Sequence, residues 1–192
     1  VADDPIERFR GWLDDAVRGG LPEPTAMALA TADAGGVPAN RMVLLKGVDG
    51  DGFTFFTNYD SAKGHDLTAN PHAALVFHWQ PLGRQVRVVG PVAPVPAAES
   101  DAYFATRPRG SQLGAWASPQ SQPIDSRATL EQRVAELDAQ WAEGEIPRPP
   151  HWGGFRVRPE TIEFWSHRND RLHDRERYRR TPDGWAVDRL GP

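Results

Sequence analysis

Short apolar runs punctuated by glycine turns constrain this chain more than any other feature. Ala26 to Thr31, Pro38 to Lys46, Phe53 to Thr57, Ala73 to Trp79 and Arg84 to Val92 read as strands. Asp33-Ala-Gly-Gly36, Asp49-Gly-Asp-Gly52 and Pro81-Leu-Gly83 lie between them. These turns are too short for a parallel crossover, so neighbouring strands are expected to pair as antiparallel hairpins. In the strand from Arg84, residues Gln85, Arg87 and Val89 share one face and Val86, Val88 and Gly90 the other. The tail from Gly154 adds two or three more strands, with Asp183-Gly184 as a hairpin turn.

Helices are inserted among these segments. Asp4-Pro5 reads as an N-cap and first-turn proline, followed by Ile6, Phe9, Leu13 and Val17 at helical spacing and a stop at Gly19-Gly20. Asp60 or Ser61 caps a short helix that ends at Asn70-Pro71. Pro96 to Thr106 reads as helical, and Asp125 or Ser126 caps a longer helix with Leu130, Val134, Leu137 and Trp141 in one stripe. The expectation is an α+β fold of about six or seven β-segments, for which a closed antiparallel barrel is the economical answer to exposed strand edges. Residues 144–151 form a proline-rich loop, but the strands after it are too few to fold alone, so a single domain over 1–192 is expected.

Composition removes several function classes. With 39% hydrophobic and 25% charged residues the 192-residue chain suits an ordinary globular domain. Its net charge of −4 gives no global pull toward nucleic acid or acidic membrane, so anion binding must come from local clusters. There is no cysteine, and the six histidines show no metal-binding spacing, so no metal site is expected. No apolar run reaches membrane-spanning length and the sequence as given opens without a basic-then-apolar leader, which makes cytoplasm the expected compartment. Neither a Walker loop, a G-x-G-x-x-G nor a G-x-S-x-G elbow occurs.

What remains is a set of local cationic and amide clusters. Arg41-Met-Val-Leu-Leu-Lys46 places two cations around four apolar residues. On one strand they would lie about 16 Å apart, the length of an extended phosphorylated cofactor or of two adjacent small anions. Ser61-Ala-Lys63 opens a helix, where free N–H groups and the dipole favour phosphate; it reads equally as an ordinary capped surface helix. Gln85 on a strand suits the edge of a heterocycle, or simply an exposed strand position. Tyr103, Arg107 and Ser111 are a set that suits one phosphate, and the first two share a helix face if the helix runs that far. Gln120-Ser121 lies in a polar loop after Gly114-Ala-Trp-Ala117. Near Trp165, the run Arg171-Leu-His-Asp-Arg175 would point Arg171, His173 and Arg175 the same way on an extended segment, around an anion or an electron-rich ring, or toward solvent.

Assembled in this order, the chain resembles the pyridoxine/pyridoxamine 5′-phosphate oxidase family from about Pro5 to Pro192. The carrying motifs are Asn40-Arg-Met-Val-Leu-Leu-Lys46, Arg84-Gln-Val86, Arg107-Pro-Arg109 with Ser111-Gln112, Gly114-Ala-Trp116 and Ser118 to Ser121. Trp152-Gly-Gly-Phe155, Glu163-Phe-Trp165, Arg171-Leu-His-Asp-Arg175 and the ending Asp188-Arg-Leu-Gly-Pro192 complete them. The resemblance implies an FMN-binding antiparallel split β-barrel with peripheral helices, working as a homodimer with FMN at the subunit interface. It also implies that the segment from about 150 to 192 serves dimerisation and substrate. By matched position, Arg41, Met42, Val43, Leu44, Leu45, Lys46, Phe56, Thr57, Ser61, Lys63, Gln85, Gln120, Ser121, Trp165 and Arg175 would hold FMN. Lys46, Tyr103, Arg107 and Ser111 would hold the substrate phosphate, with Arg171, Leu172 and His173 over its ring and Arg171 and His173 as the catalytic pair. The implied reaction oxidises the 4′ carbon of a phosphorylated B6 vitamer to pyridoxal 5′-phosphate and reduces dioxygen to hydrogen peroxide. Two departures stand out: Ala62 where the family usually has arginine, and Phe56 where it often has tyrosine. A related flavin oxidase of phenazine biosynthesis, or a non-catalytic flavin- or pyridoxal-phosphate-binding module, is the alternative reading.

Overall fold

A computed structural model describes residues 4–192. Its elements run α1 (Pro5–Arg18), β1 (Ala26–Ala32), β2 (Pro38–Leu44), β3 (Gly47–Asp49), β4 (Gly52–Asn58), α2 (Ala62–Ala69), β5 (His72–Trp79) and β6 (Arg84–Pro94). Then follow α3 (Ala97–Ala105), α4 (Arg109–Ala117), α5 (Arg127–Gln140), β7 (Trp152–Val157), β8 (Thr161–Ser166), β9 (Asp174–Thr181) and β10 (Gly184–Arg189). All strand pairs are antiparallel, as the turns require. Among the described residues the count is ten strands rather than six or seven: the tail holds four, beginning at Trp152, and the short β3 was hidden in the Asp49-Gly50 turn region.

The sheet curls without closing. Strands β10, β9, β8, β6, β5, β1 and β2 form one path, while β7 joins the far end of β6 and carries β4 and β3. Strand β6 is the hinge of this arrangement, pairing with β8 along Arg84 to Val89 and with β7 along Val92 to Pro94. The chain passes from β7 to β8 against Gly90, where an added Cβ would lie 1.9 Å from the Arg158 carbonyl oxygen. Strands β2, β3 and β10 keep a free edge, so the architecture is a split barrel.

Alternation along the strands decides what lies inside. Met27, Leu29, Leu75, Phe77, Val86, Val88, Ile162 and Phe164 all face inward and are buried. Helix α1 plugs this interior: Asp4 caps it by accepting from the Ile6 N–H, and Phe9 meets Phe53 and Phe77 at 4.9 and 4.8 Å between ring centres. Burial of each such ring contributes about 1.5–3 kcal/mol. The buried positions of α1 are Pro5, Ile6, Phe9 and Ala16, and Val17, expected in the stripe, instead lies exposed. A second cluster of Phe104, Leu113, Ile146 and Trp152 packs α3 and α4 beside the barrel, with Val134, Leu137 and Trp141 of α5 leaning on it.

The opposite sheet face is less covered. Met42 (65% exposed), Val89 and Arg87 lie open on it, among half-buried alanines of β1 and β5. No helix among the described residues is long and apolar enough to cross a membrane.

Helix α2 sits so close to the turn before it that only glycine fits at position 64. An added Cβ would lie 2.0 Å from the Tyr59 carbonyl oxygen. Gly64→Ala should therefore destabilise the protein by about 3 kcal/mol. A thermal melt within a degree of wild type would show that the helix can shift freely.

Candidate active site

Strand β2 ends at Leu44 because the chain there changes partners. The Leu45 N–H donates to the Thr25 carbonyl at 2.9 Å and the Lys46 N–H to the Thr54 carbonyl of β4 at 2.8 Å. Lys46 thus sits at the seam between the two parts of the sheet, not on the strand with Arg41 as the sequence suggested. Leu45, turned into the barrel, is buried in the core. The free edge of β2 runs along a cavity of about 880 Å³. Such an edge offers unpaired backbone donors and acceptors to whatever lies beside it.

That cavity gathers most of the sequence-selected residues. Arg41, Met42, Val43, Leu44 and Lys46 line one side, Phe56, Thr57 and Lys63 the floor, and Tyr103, Arg107, Ser111, Gln120 and Ser121 the far wall. Two cationic clusters face it. At the first, α2 begins with Ser61 as N-cap, its side chain accepting from the Gly64 N–H. Lys63, only 8% exposed, reaches Thr57 Oγ1 and Ser61 Oγ at 3.2 Å and Gln120 Oε1 at 3.0 Å. All three acceptors are neutral, and no carboxylate among the described residues pairs with this ammonium. Burial, and secondarily the nearby Arg41 charge, holds its pKa below the ordinary 10.5. Arg41 is itself anchored, donating to Thr31 Oγ1 at 2.5 Å and lying 3.5 Å from Asp66.

The second position is at the start of α4. No side chain caps this helix, and Ser111 lies in its first turn. Arg107 leans over the Trp152 ring at 4.6 Å, and its buried Nη1 has no hydrogen-bond partner. Burial lowers its pKa, partly offset by Tyr103. Tyr103 and Arg107 meet here although they do not share a helix: α3 stops at Ala105, and Arg107 lies in the turn to α4. The helix α4 is absent from the sequence reading because Gly110 and Gly114 depress helix propensity; its signal was Leu113 and Ala117, four apart and both buried. Trp152 also lines the cavity, and only its place in a Trp-Gly-Gly motif marked it beforehand.

The remaining candidates form a separate group, none of which lines this cavity. Gln85, Trp165 and Arg175 stand in one row across β6, β8 and β9 by register. Arg175 donates to Glu163 at 2.9 Å and to the Gly191 carbonyl at 3.0 Å. Arg171, His173 and Trp165 line a second, open pocket. The segment is not extended as expected: Asp170 and Arg171 adopt left-handed backbone, with φ of 57° and 61°, and β9 starts only at Asp174. Arg171, His173 and Arg175 therefore do not share a strand face. The His173 ring lies 4.6 Å from Trp165, and its Nδ1 accepts from the Arg168 N–H at 3.2 Å, which leaves the proton on Nε2. Leu172 is exposed.

Comparison with known proteins matches this geometry to a family. Residues 13–141 match the family model described as pyridoxamine 5′-phosphate oxidase, and residues 152–192 match the pyridoxine 5′-phosphate oxidase C-terminal dimerisation region. A pyridoxine/pyridoxamine 5′-phosphate oxidase of Salinibacter ruber is 59% identical over 195 residues, covering 100% of this chain and 91% of the relative. One from Acidothermus cellulolyticus is 59% identical over 197 residues, covering 100% and 88%. Among solved structures, PhzG from Burkholderia lata in complex with tetrahydrophenazine-1-carboxylic acid superposes with a TM-score of 0.93 at 34% identity, over 98% of this chain and 93% of that one. A pyridoxamine 5′-phosphate oxidase-related, FMN-binding protein of Nostoc punctiforme shares the fold, with a TM-score of 0.76 at 19% identity over 96% and 97%. With one model spanning the cavity-bearing part and the other the four-stranded tail, the chain belongs to the pyridoxamine 5′-phosphate oxidase family.

Proposed function

We propose that this protein oxidises pyridoxamine or pyridoxine 5′-phosphate at the 4′ carbon to pyridoxal 5′-phosphate, using FMN and dioxygen and releasing hydrogen peroxide. The observation that carries this reading is the buried Lys63 and the half-buried Arg107, which face one cavity without a counter-ion. An unpaired buried charge is costly, so each position is built for an anion that arrives with a ligand. One phosphate belongs to FMN at α2 and the other to the substrate at α4. Between them, the open edge of β2 and the Phe56 ring suit a flat heterocycle.

When bound, FMN supplies the hydride acceptor and the reactivity toward dioxygen. The protein's own residues bind and orient. Lys63, Ser61 and Thr57 would hold the cofactor phosphate, with Gln120 and Ser121 beside it. Lys46, Tyr103, Arg107 and Ser111 would hold the substrate phosphate, fixing the reacting carbon from a distance. His173 presents Nε2–H as a donor, and Arg171 adds a cation beside it; together they would orient the substrate ring.

Both pockets lie on one chain but share no lining residue, and the C-terminal match is to a dimerisation region. A homodimer in which Gln85, Trp165, Arg171, His173 and Arg175 of one protomer complete the cavity of its partner accounts for both groups. We infer one domain over the whole chain, acting in the cytoplasm. The phenazine-type alternative is represented by a 34% identical structure, against 59% for relatives named as pyridoxine/pyridoxamine 5′-phosphate oxidases.

The test is a visible spectrum of the purified protein followed by pyridoxamine 5′-phosphate in air with FMN. Peroxide together with pyridoxal 5′-phosphate is the expected result; bound flavin without turnover, or no flavin at excess FMN, would overturn it. Ala62, in the first turn of α2, lines the cavity at a position where the family resemblance implies arginine. Ala62→Arg should add a charge-assisted contact and tighten FMN binding by about tenfold. An unchanged dissociation constant would mean that Lys63 and Arg41 already saturate the phosphate.

A further inference from the structure

Arg107 presents a problem of immobilisation. Its side chain makes no hydrogen bond or ion pair among the described residues, yet it is half-buried and ends the turn between α3 and α4. A flexible guanidinium would forfeit much of its binding energy in ordering, whereas a carboxylate partner would consume the donors that an anion needs. What does touch it are aromatic rings: the guanidinium carbon lies 4.6 Å from the Trp152 ring centre and, farther off, 5.6 Å from that of Phe104. An aromatic face attracts a cation without using any N–H.

Trp152 is itself held rigidly. It is 6% exposed, its N–H donates to the Pro149 carbonyl at 3.1 Å, and its carbonyl accepts from Arg148 at 2.6 Å. Its ring lies nearly parallel to Phe56 (5.5 Å, 11°) and Tyr103 (6.2 Å, 8°), and Phe56 stacks on Tyr103 at 4.1 Å. The glycines that follow make this packing possible. A Cβ on Gly154 would lie 2.8 Å from the Phe56 ring, and one on Gly153 would lie 2.1 Å from the Tyr59 hydroxyl. The Trp-Gly-Gly motif thus builds a slab of three parallel rings whose outer face carries Arg107.

We propose that Trp152 is a positioning residue for the substrate phosphate: its indole fixes the Arg107 guanidinium directly and the Tyr103 ring through Phe56, leaving their donors free for the anion. The inference rests on the proposed function for the identity of the substrate, but not for the anion site itself. Trp152 touches no reacting atom in this role, so its loss should act on binding of the phosphate and not on the chemical step.

The experiment compares wild type, Trp152→Leu and Trp152→Phe as FMN-loaded enzyme. It measures kcat and KM for pyridoxamine 5′-phosphate, the inhibition constant of inorganic phosphate, its direct binding by calorimetry, and FMN affinity. Trp152→Leu should raise KM and weaken phosphate binding by about tenfold, with kcat and FMN affinity within about threefold of wild type. Trp152→Phe, which restores an aromatic face, should recover most of the loss. Unchanged phosphate binding in Trp152→Leu, or no recovery by phenylalanine, would overturn the proposal, as would kcat and FMN affinity falling in step with phosphate binding. If Trp152→Leu does not fold, Trp152→Met fills the space without a π-face and carries the same comparison. A wild-type protein that binds phosphate but oxidises no B6 vitamer would defeat the proposed function, while the phosphate comparison would still decide the role of Trp152.

Discussion

Replacing Lys63 with methionine should weaken flavin binding by about 100-fold and leave the flavin-free protein at least as stable as wild type. The two effects have one cause. The ammonium is buried among Thr57, Ser61 and Gln120, which accept its hydrogen bonds but return no charge. In the empty fold this is a desolvation cost; with a phosphate present it becomes the main attraction. Because the folded pKa lies below the unfolded value of 10.5, the unfolded chain holds more protons in the window between them. The stability of the flavin-free protein therefore rises with pH through that window, as the strain of the buried charge is relieved. Flavin affinity runs the other way, falling as Lys63 loses its proton. Fluorescence titration of FMN and thermal melts across alkaline pH measure both. A methionine variant that binds FMN normally, or whose melts keep the wild-type pH slope, would remove Lys63 from the phosphate site.

Arg171→Ala should lower turnover by about 100-fold while flavin content stays at the wild-type level, since misplacing a bound substrate by even a small distance costs about that much. Arg171 lies in the open pocket with Trp165 and His173, away from Lys63. Its backbone φ of 61° is unfavourable for any residue with a Cβ. Arg171→Gly should therefore lose the same activity yet gain about 1 kcal/mol of stability, which separates the loss of the guanidinium from damage to the fold. The same pair of sites tests the dimer. Co-expressing Lys63→Met with Arg171→Ala should restore activity in mixed dimers, where one cavity receives an intact Lys63 from one protomer and an intact Arg171 from its partner. Failure of rescue, with mixed dimers verified by mass, would place both groups in one protomer's site. Turnover of Arg171→Ala near wild type would mean that its role is misassigned.

The antiparallel pairing, the α1 helix and the two alternating faces of β6 were legible because turn chemistry and residue periodicity are local properties. So were a cap at Asp60 or Ser61, of which the structure uses Ser61, and Lys63 near it, since a helix start writes itself in a few adjacent residues. The sequence alone also supplied the list of cations and amides, and their order along the chain carried the family resemblance.

What the tertiary structure decided was where those groups stand relative to one another. Lys46 left its strand because the backbone there exchanged Thr25 for Thr54 as partner, a choice made by strands distant in sequence. Arg175 turned to Glu163, and Arg171 took a left-handed backbone, so a run that looked like one face became three separate placements. The tail group and the Lys63 cavity came to lie apart, sharing no lining residue, which no spacing along the chain encodes. Trp152 acquired its place against Phe56, Tyr103 and Arg107 only when β4, α3 and β7 packed together. Side-chain type and local backbone preference act over a few residues, whereas charge compensation and ring stacking act between elements, and only the folded chain brings those elements within reach.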